Sequence, residues 1–216
     1  MLVHRWDSAV DDSEWQAFLV AQGFGHLVAA GRGRDVPVVV PTQFVLDGSA
    51  VVLHLARPNP IWAAIDENPL VVLSVAGDWA YVPSAWKTTG AEDPRFGIPT
   101  TYYGAVQLTA RAVVLDDAED VATVLRRQLG VLQPELDVVD PLEHGTRLGQ
   151  IRALRLEVEE VRAKFKYGGN VDAEHRSVVA DHLAQRDGPG DAAARAHVLR
   201  RLADQIGVSV DEPPRR

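Results

Sequence analysis

The 216-residue chain has no cysteine. That absence excludes disulfides, thiolate nucleophiles, thiolate-built zinc sites and cysteine-ligated haem or iron–sulfur centres. A metal ligand must then be a histidine, a carboxylate or a tyrosine. Long apolar runs are also missing, since no stretch approaches the roughly 20 residues of a membrane span. The opening Met1-Leu2-Val3-His4-Arg5-Trp6-Asp7 puts charge where a secretion signal has its apolar stretch. The expectation is a cytoplasmic protein without a membrane partner. Positive charge is scarce: 22 Lys and Arg stand against 30 Asp and Glu, a net charge of −8. Such a surface repels a phosphate backbone, so direct nucleic-acid binding is not expected.

What is present is enough apolar material, 46% of residues, for one large domain or a domain with a helical extension. Asp11 to Gln22 opens on capping residues and carries Trp15, Phe18 and Leu19 on one helical stripe, which predicts an N-terminal helix ending before Gly23. Short apolar runs follow at 26–30, 36–40, 44–46 and 51–56, separated by Gly31-Arg32-Gly33-Arg34-Asp35 and by Asp47-Gly48. These predict antiparallel strands with tight turns. Asn59 and Pro60 start a short helix through Trp62 and Ile65. Two more strands are expected at 70–75 and 79–82 around Gly77-Asp78, then an irregular loop from Pro83 to Pro99 and a long strand from Thr100 to Leu115. Asp116–Leu129 is an amphipathic helix with acidic residues first and Arg126 and Arg127 last, as the helix dipole favours. The alternation of Leu154, Leu156 and Val158 with Arg155, Glu157 and Glu159 predicts a half-buried strand to Tyr167. Helices at 172–186 and 191–206, split by Gly188-Pro189-Gly190, and a Pro-Pro-Arg-Arg tail complete the chain. Six or seven short strands without regular strand–helix alternation imply an α+β fold, a compact antiparallel barrel with peripheral and C-terminal helices. The expected division is a barrel domain over 1–170 and a helical extension over 171–216.

Three segments carry a resemblance. His54-Leu55-Ala56-Arg57-Pro58-Asn59-Pro60-Ile61-Trp62, Ala80-Tyr81-Val82-Pro83-Ser84-Ala85-Trp86 and Ala163-Lys164-Phe165-Lys166 with Asn170 are similar, in order and spacing, to signatures of the PaiB-like FMN-binding split-barrel family. The chain departs from that family at Pro99-Thr100-Thr101-Tyr102-Tyr103, where Pro-Thr-Trp-Asn-(Tyr/Phe) is usual. It departs again at Tyr167-Gly168-Gly169, which replaces Leu-Ser-Gln, and in a loop that gains Thr89-Gly90-Ala91-Glu92-Asp93-Pro94. The resemblance implies a Greek-key split barrel, a homodimer and one of two chemistries. Members are described as FMN-binding negative transcriptional regulators, while the related piperazate synthases use haem to join two nitrogens of an N-hydroxylated amino acid. The leading expectation is a haem b-dependent enzyme acting on an amine or N-hydroxylated amino acid, with His54 as the axial ligand; the alternative is an FMN-binding regulator responding to a small metabolite.

The candidate residues follow. His54 ends an apolar strand and can present a neutral imidazole to iron, or be a buried histidine bonded to a carbonyl. Arg57, beside Asn59 on the same rim, can pair with a propionate or phosphate, or with Glu67 or Asp66. Ser84, Trp86, Lys87 and Thr88 can supply hydroxyl, ammonium and aromatic contacts to a cofactor. Lys164 and Lys166 share one strand face, Phe165 the other, so two ammonium groups can meet a phosphate or substrate carboxylate. Tyr102 and Tyr103 point to opposite faces and only one can face a pocket; Tyr102 joins the two lysines as a catalytic candidate. His54, Arg57 and the lysine pair are expected to converge on one cavity. His26, His144, His175, His182 and His197 lack metal-ligand spacing and read as surface or helix residues. Gly23-Phe24-Gly25 lacks the strand-before, helix-after setting of a phosphate loop.

Overall fold

The computed structural model describes residues 1–88, 92–135 and 137–206, the side chains of 203–206 excepted. Thr89, Gly90 and Ala91 of the long loop and the Pro213-Pro214-Arg215-Arg216 tail thus lie outside the described residues. The chain runs α1 (Asp12–Gln22), β1 (Phe24–Ala29), β2 (Val38–Gln43), β3 (Val45–Asp47), β4 (Ala50–Ala56), α2 (Ile61–Glu67), β5 (Leu70–Val82), β6 (Thr100–Leu115), α3 (Ala118–Leu132), β7 (Ile151–Lys166), α4 (Ala173–Arg186) and α5 (Asp191–Ile206). Tight helical turns occupy Arg5–Asp7, Ser84–Trp86, Pro94–Phe96 and Pro141–Gln150. No helix among the described residues is long and apolar enough to cross a membrane.

The strands form one antiparallel sheet in the order β2-β1-β5-β6-β7-β4-β3. Its two edge strands, β2 and β3, are joined by Phe44 alone. One residue can bridge opposite edges only if the sheet curls until they meet. Phe44 is buried at that junction, and its amide bonds the Gly23 carbonyl at 3.1 Å. The expected curled antiparallel sheet with attached helices is therefore present. One expectation needs correction: 70–82 is a single strand, not two. Asp78 adopts φ 51 inside it, so the Gly77-Asp78 pair bends the strand locally without reversing it.

Two compact units emerge. The first comprises residues 11–75 and 106–162 with Met1. The Asp11 carboxylate caps α1 through the Ser13 and Glu14 amides, and Gly23 ends it at φ 57. Leu27, Leu53, Ile61, Leu73, Leu108 and Leu154 are fully buried, each such side chain contributing about 1.5–3 kcal/mol of apolar burial. Helix α3 lays Val121, Ala122 and Val124 over Val45, Val52 and Ala153. The second unit comprises residues 2–10, 76–105 and 163 onward. Here α4 and α5 pack through Val179, Leu183, Ala194 and Val198. Arg186 donates to the Tyr81 carbonyl at 2.8 Å, and Tyr167 Oη to that of Asp78 at 2.9 Å. Gly190, at φ 82, lies so close to the Trp79 carbonyl that a β-carbon would collide with it.

Candidate functional site

The first unit holds His54, Arg57 and Asn59. Strand β4 ends at Ala56, whose carbonyl accepts from the Asn59 amide (3.0 Å) and from Trp62 Nε1 (2.9 Å). Asn59 Oδ1 accepts from the Ile61 amide at 3.1 Å, where α2 begins. Much of the 54–62 signature is thus a strand-to-helix turn stapled by its own side chains. Arg57 grips Asp116 with both terminal nitrogens, at 2.6 and 3.2 Å, and sends Nε to the Gly149 carbonyl at 2.6 Å. Arg152 reaches the same carboxylate at 2.7 Å. These hydrogen bonds, from Arg57 and then Arg152, hold the Asp116 carboxyl down at about 2. The counter-ion of Arg57 is therefore Asp116, while Glu67 takes Arg34.

His54 is half-buried opposite Ala153 of β7. Its Nδ1 lies 2.6 Å from Oε1 of Gln128, a buried side chain on α3. An amide oxygen only accepts, so this contact puts a proton on Nδ1, and in the neutral ring the lone pair is then at Nε2. That is the imidazole form a metal ligand requires, with its orientation set by the outer partner. Sequence reasoning missed Gln128. The available signal was its place on the buried stripe of α3, seven residues after Val121 and four after Val124, where a polar residue is out of pattern.

The second unit holds the other candidates. The ammonium groups of Lys164 and Lys166 lie 5.7 and 6.0 Å from the centre of the Tyr103 ring, while Phe165 points away and is buried. Lys166 donates to Thr100 Oγ1 at 2.7 Å. Lys164, itself buried, donates to the Leu2 carbonyl at 3.0 Å and stands 3.9 Å from Asp7, whose carboxyl burial pushes up against the pull of Lys164. Burial, and then the charge of Lys166, pull the Lys87 ammonium below its ordinary value. Among the described residues neither Lys87 nor Lys166 has a carboxylate partner. Tyr103 is the tyrosine beneath the lysines. Tyr102 is buried on the other side, and desolvation pushes its phenol up to about 12. Its hydroxyl has no hydrogen-bond partner among the described residues.

The loop residues are placed by the helices they meet. Trp86 stacks on His182 at 4.9 Å between ring centres, with the Arg186 guanidinium 4.6 Å from its ring centre, so it fastens the loop to α4. The Ser84 carbonyl accepts from the Lys87 amide at 2.8 Å, and Thr88 Oγ1 donates to the Ala85 carbonyl at 3.3 Å. His175, expected as a surface or helix residue, lies on α4 and is buried; desolvation and then Lys87 lower its imidazole, and its Nε2 has no hydrogen-bond partner among the described residues. No group of three His, Asp or Glu suited to holding a metal occurs among the described residues.

Each set is coherent within its own unit. His54 meets Gln128, Arg57 meets Asp116, Asn59 caps α2, and the lysines gather around Tyr103.

Solved structures with the same fold include the flavocytochrome Anf3 from Azotobacter vinelandii, 24% identical, covering 81% of this chain and 78% of that one with a TM-score of 0.61. A FAD and heme binding protein from Mycobacterium smegmatis is 18% identical, with coverages of 81% and 80% and a TM-score of 0.60. No curated protein matches the sequence. The family described as "Putative FMN-binding domain" matches residues 1–160. With that match over most of its length and a curled sheet shared with flavin- and haem-binding proteins, the chain belongs to this FMN-binding split-barrel family, of which the PaiB-like proteins are part.

Proposed function

We propose that the chain is a redox-cofactor protein that binds FMN, with Lys166 and Lys87 receiving the phosphate. The observation that carries this reading is the pair of mutually repelling ammonium groups with no ion-paired carboxylate among the described residues, one desolvated and the other beside the Thr100 hydroxyl. A dianionic phosphate relieves that repulsion and accepts from ammonium and hydroxyl together. The donor set therefore fits the group. Bound flavin would supply hydride and electron transfer, and the chain would supply anion binding, orientation and exclusion of water. Titration of the apoprotein with FMN, followed by flavin fluorescence, is expected to give a Kd of about 1 μM or tighter. No binding at a hundredfold higher concentration overturns the reading.

A haem reading rests on a different observation, the His54–Gln128 contact. In it Nε2 of His54 is the axial ligand, haem b is the cofactor, and the substrate is an amine or N-hydroxylated amino acid. A Soret band that appears on haem addition and is altered in His54→Ala supports it; indifference to that substitution removes it. A regulatory role would act through cofactor or metabolite sensing, given the net charge of −8. The partner we propose is a second copy of this chain, which would cover Trp79 and Tyr81, two exposed aromatics alternating along β5. Light scattering on the wild type and Trp79→Glu tests this, and a monomeric wild type refutes it.

A further inference from the structure

Arg176 and Tyr102 are each 1% exposed, and each carries a donor without a partner among the described residues, Nη2 of the guanidinium and the phenol hydroxyl. Among the described residues the guanidinium bonds backbone carbonyls, those of Asp172 at 3.4 Å and Arg201 at 3.1 Å. Asp172 attracts it from a distance, but its side chain caps α4 at the His175 amide, 2.8 Å away. Among the described residues, then, no carboxylate pairs with a cation that has been taken fully out of water. An isolated buried charge is costly, and an unmet donor beside it adds to that cost.

Both residues crowd the α-carbon of Gly168, Tyr102 with its hydroxyl and Arg176 with the stem of its side chain. A β-carbon on Gly168 would lie 2.5 Å from the Tyr102 hydroxyl oxygen and 3.2 Å from Cγ of Arg176. Gly168 holds φ 78 there, so the backbone reserves this position for a residue without a side chain. Desolvation pushes the Tyr102 phenol up, the positive charge of Arg176 pulls it down, and the Asp7 carboxylate raises it further. A donor pair of this kind, one charged and one neutral in a dry setting, matches a single compact acceptor atom carrying negative charge.

We propose that Arg176 and Tyr102 form a buried binding site for a small monovalent anion, a halide or one oxygen of a small carboxylate. The site is separate from the lysine cluster around Tyr103, since Tyr102 and Tyr103 face opposite sides of β6. It needs neither flavin nor haem, and would lock the Gly168 turn and the first turn of α4 onto β6.

The test is thermal unfolding of the cofactor-free full-length protein in sodium chloride or sodium formate, each against sodium gluconate at equal ionic strength. Gluconate is too large to enter. At a hundredfold excess over Kd, chloride or formate is expected to raise the midpoint by roughly 5–10 °C in a saturable way. Tyr102→Phe, which removes only one oxygen and keeps the packing, is expected to weaken the anion's apparent Kd about tenfold. Arg176→Met is expected to abolish the increment. A response to chloride alone identifies a halide site, and one to formate alone a carboxylate site. A wild-type midpoint identical in all three salts overturns the proposal, as does an increment unchanged in Tyr102→Phe even if Arg176→Met fails to fold. FMN binding is read separately, so either proposal can fail without the other.

Discussion

The two compact units differ in how completely their cations are paired. In the first, Arg34 meets Glu67, Arg57 and Arg152 share Asp116, and Arg126 bridges Glu119 and Asp140. In the second, Arg186 meets Asp191, Arg95 meets Asp93, His197 meets Asp78 and Lys164 stands near Asp7, yet Lys87, Lys166 and Arg176 have no ion-paired carboxylate among the described residues. Matched charges do their work within the fold and leave little field for a ligand. Unmatched, partly dehydrated cations are held at a cost that a bound anion offsets. The difference teaches where to look for anion binding, and it demotes Arg57, whose charge is already neutralised.

The units also differ in how tightly backbones approach, and this gives the largest expected effect. Gly190→Ala combines a collision with the Trp79 carbonyl and an unfavourable positive φ, and should destabilise by about 3 kcal/mol in denaturant unfolding. Gly130→Ala in α3 meets open space and should be neutral or stabilise by about 0.5–1 kcal/mol. Equal effects would erase the contrast.

Next in size is Gln128→Leu. If His54 ligates haem, loss of the acceptor for its Nδ1 proton should weaken haem binding about tenfold to a hundredfold, measured by Soret titration. Lys166→Ala should weaken FMN about tenfold, whereas Arg57→Ala should leave it within about twofold. A larger loss at Arg57 would reverse the assignment of the two units. Lys87 sharpens the same comparison through pH. Its pKa is depressed, so an anion it holds binds fully below that value and is released as pH rises through it, earlier than the ordinary 10.5 of a lysine. Lys87→Met should bind more weakly at neutral pH and lack that early alkaline step.

The smallest effect belongs to the exposed Asp116 pair. Asp116→Asn should cost about 1 kcal/mol or less at neutral pH. The carboxyl is depressed in the folded state, so its contribution is complete above the ordinary 3.8 and disappears as pH falls toward about 2. Acid unfolding curves of wild type and variant should therefore converge at low pH.

The strand and helix pattern was legible because apolar periodicity is local. The period-2 run at 154–159, the stripe of α3 and the glycine breaks each report their own element. The Gly77-Asp78 pair misled, because the same residues that turn a hairpin can also bend a continuous strand. Gln128, Asp116 and Tyr103 were not legible as partners, since each meets its counterpart only through contacts between elements distant in sequence.

By itself the sequence determined the inventory: no thiol chemistry, an antiparallel strand series, two lysines on one face of the last strand, and a histidine at the end of an apolar one. Those follow from residue type and from the fixed geometry of extended chain. Only the tertiary structure decided which charges are neutralised. Pairing depends on the few ångströms between groups that are tens of residues apart, and no local pattern encodes that distance.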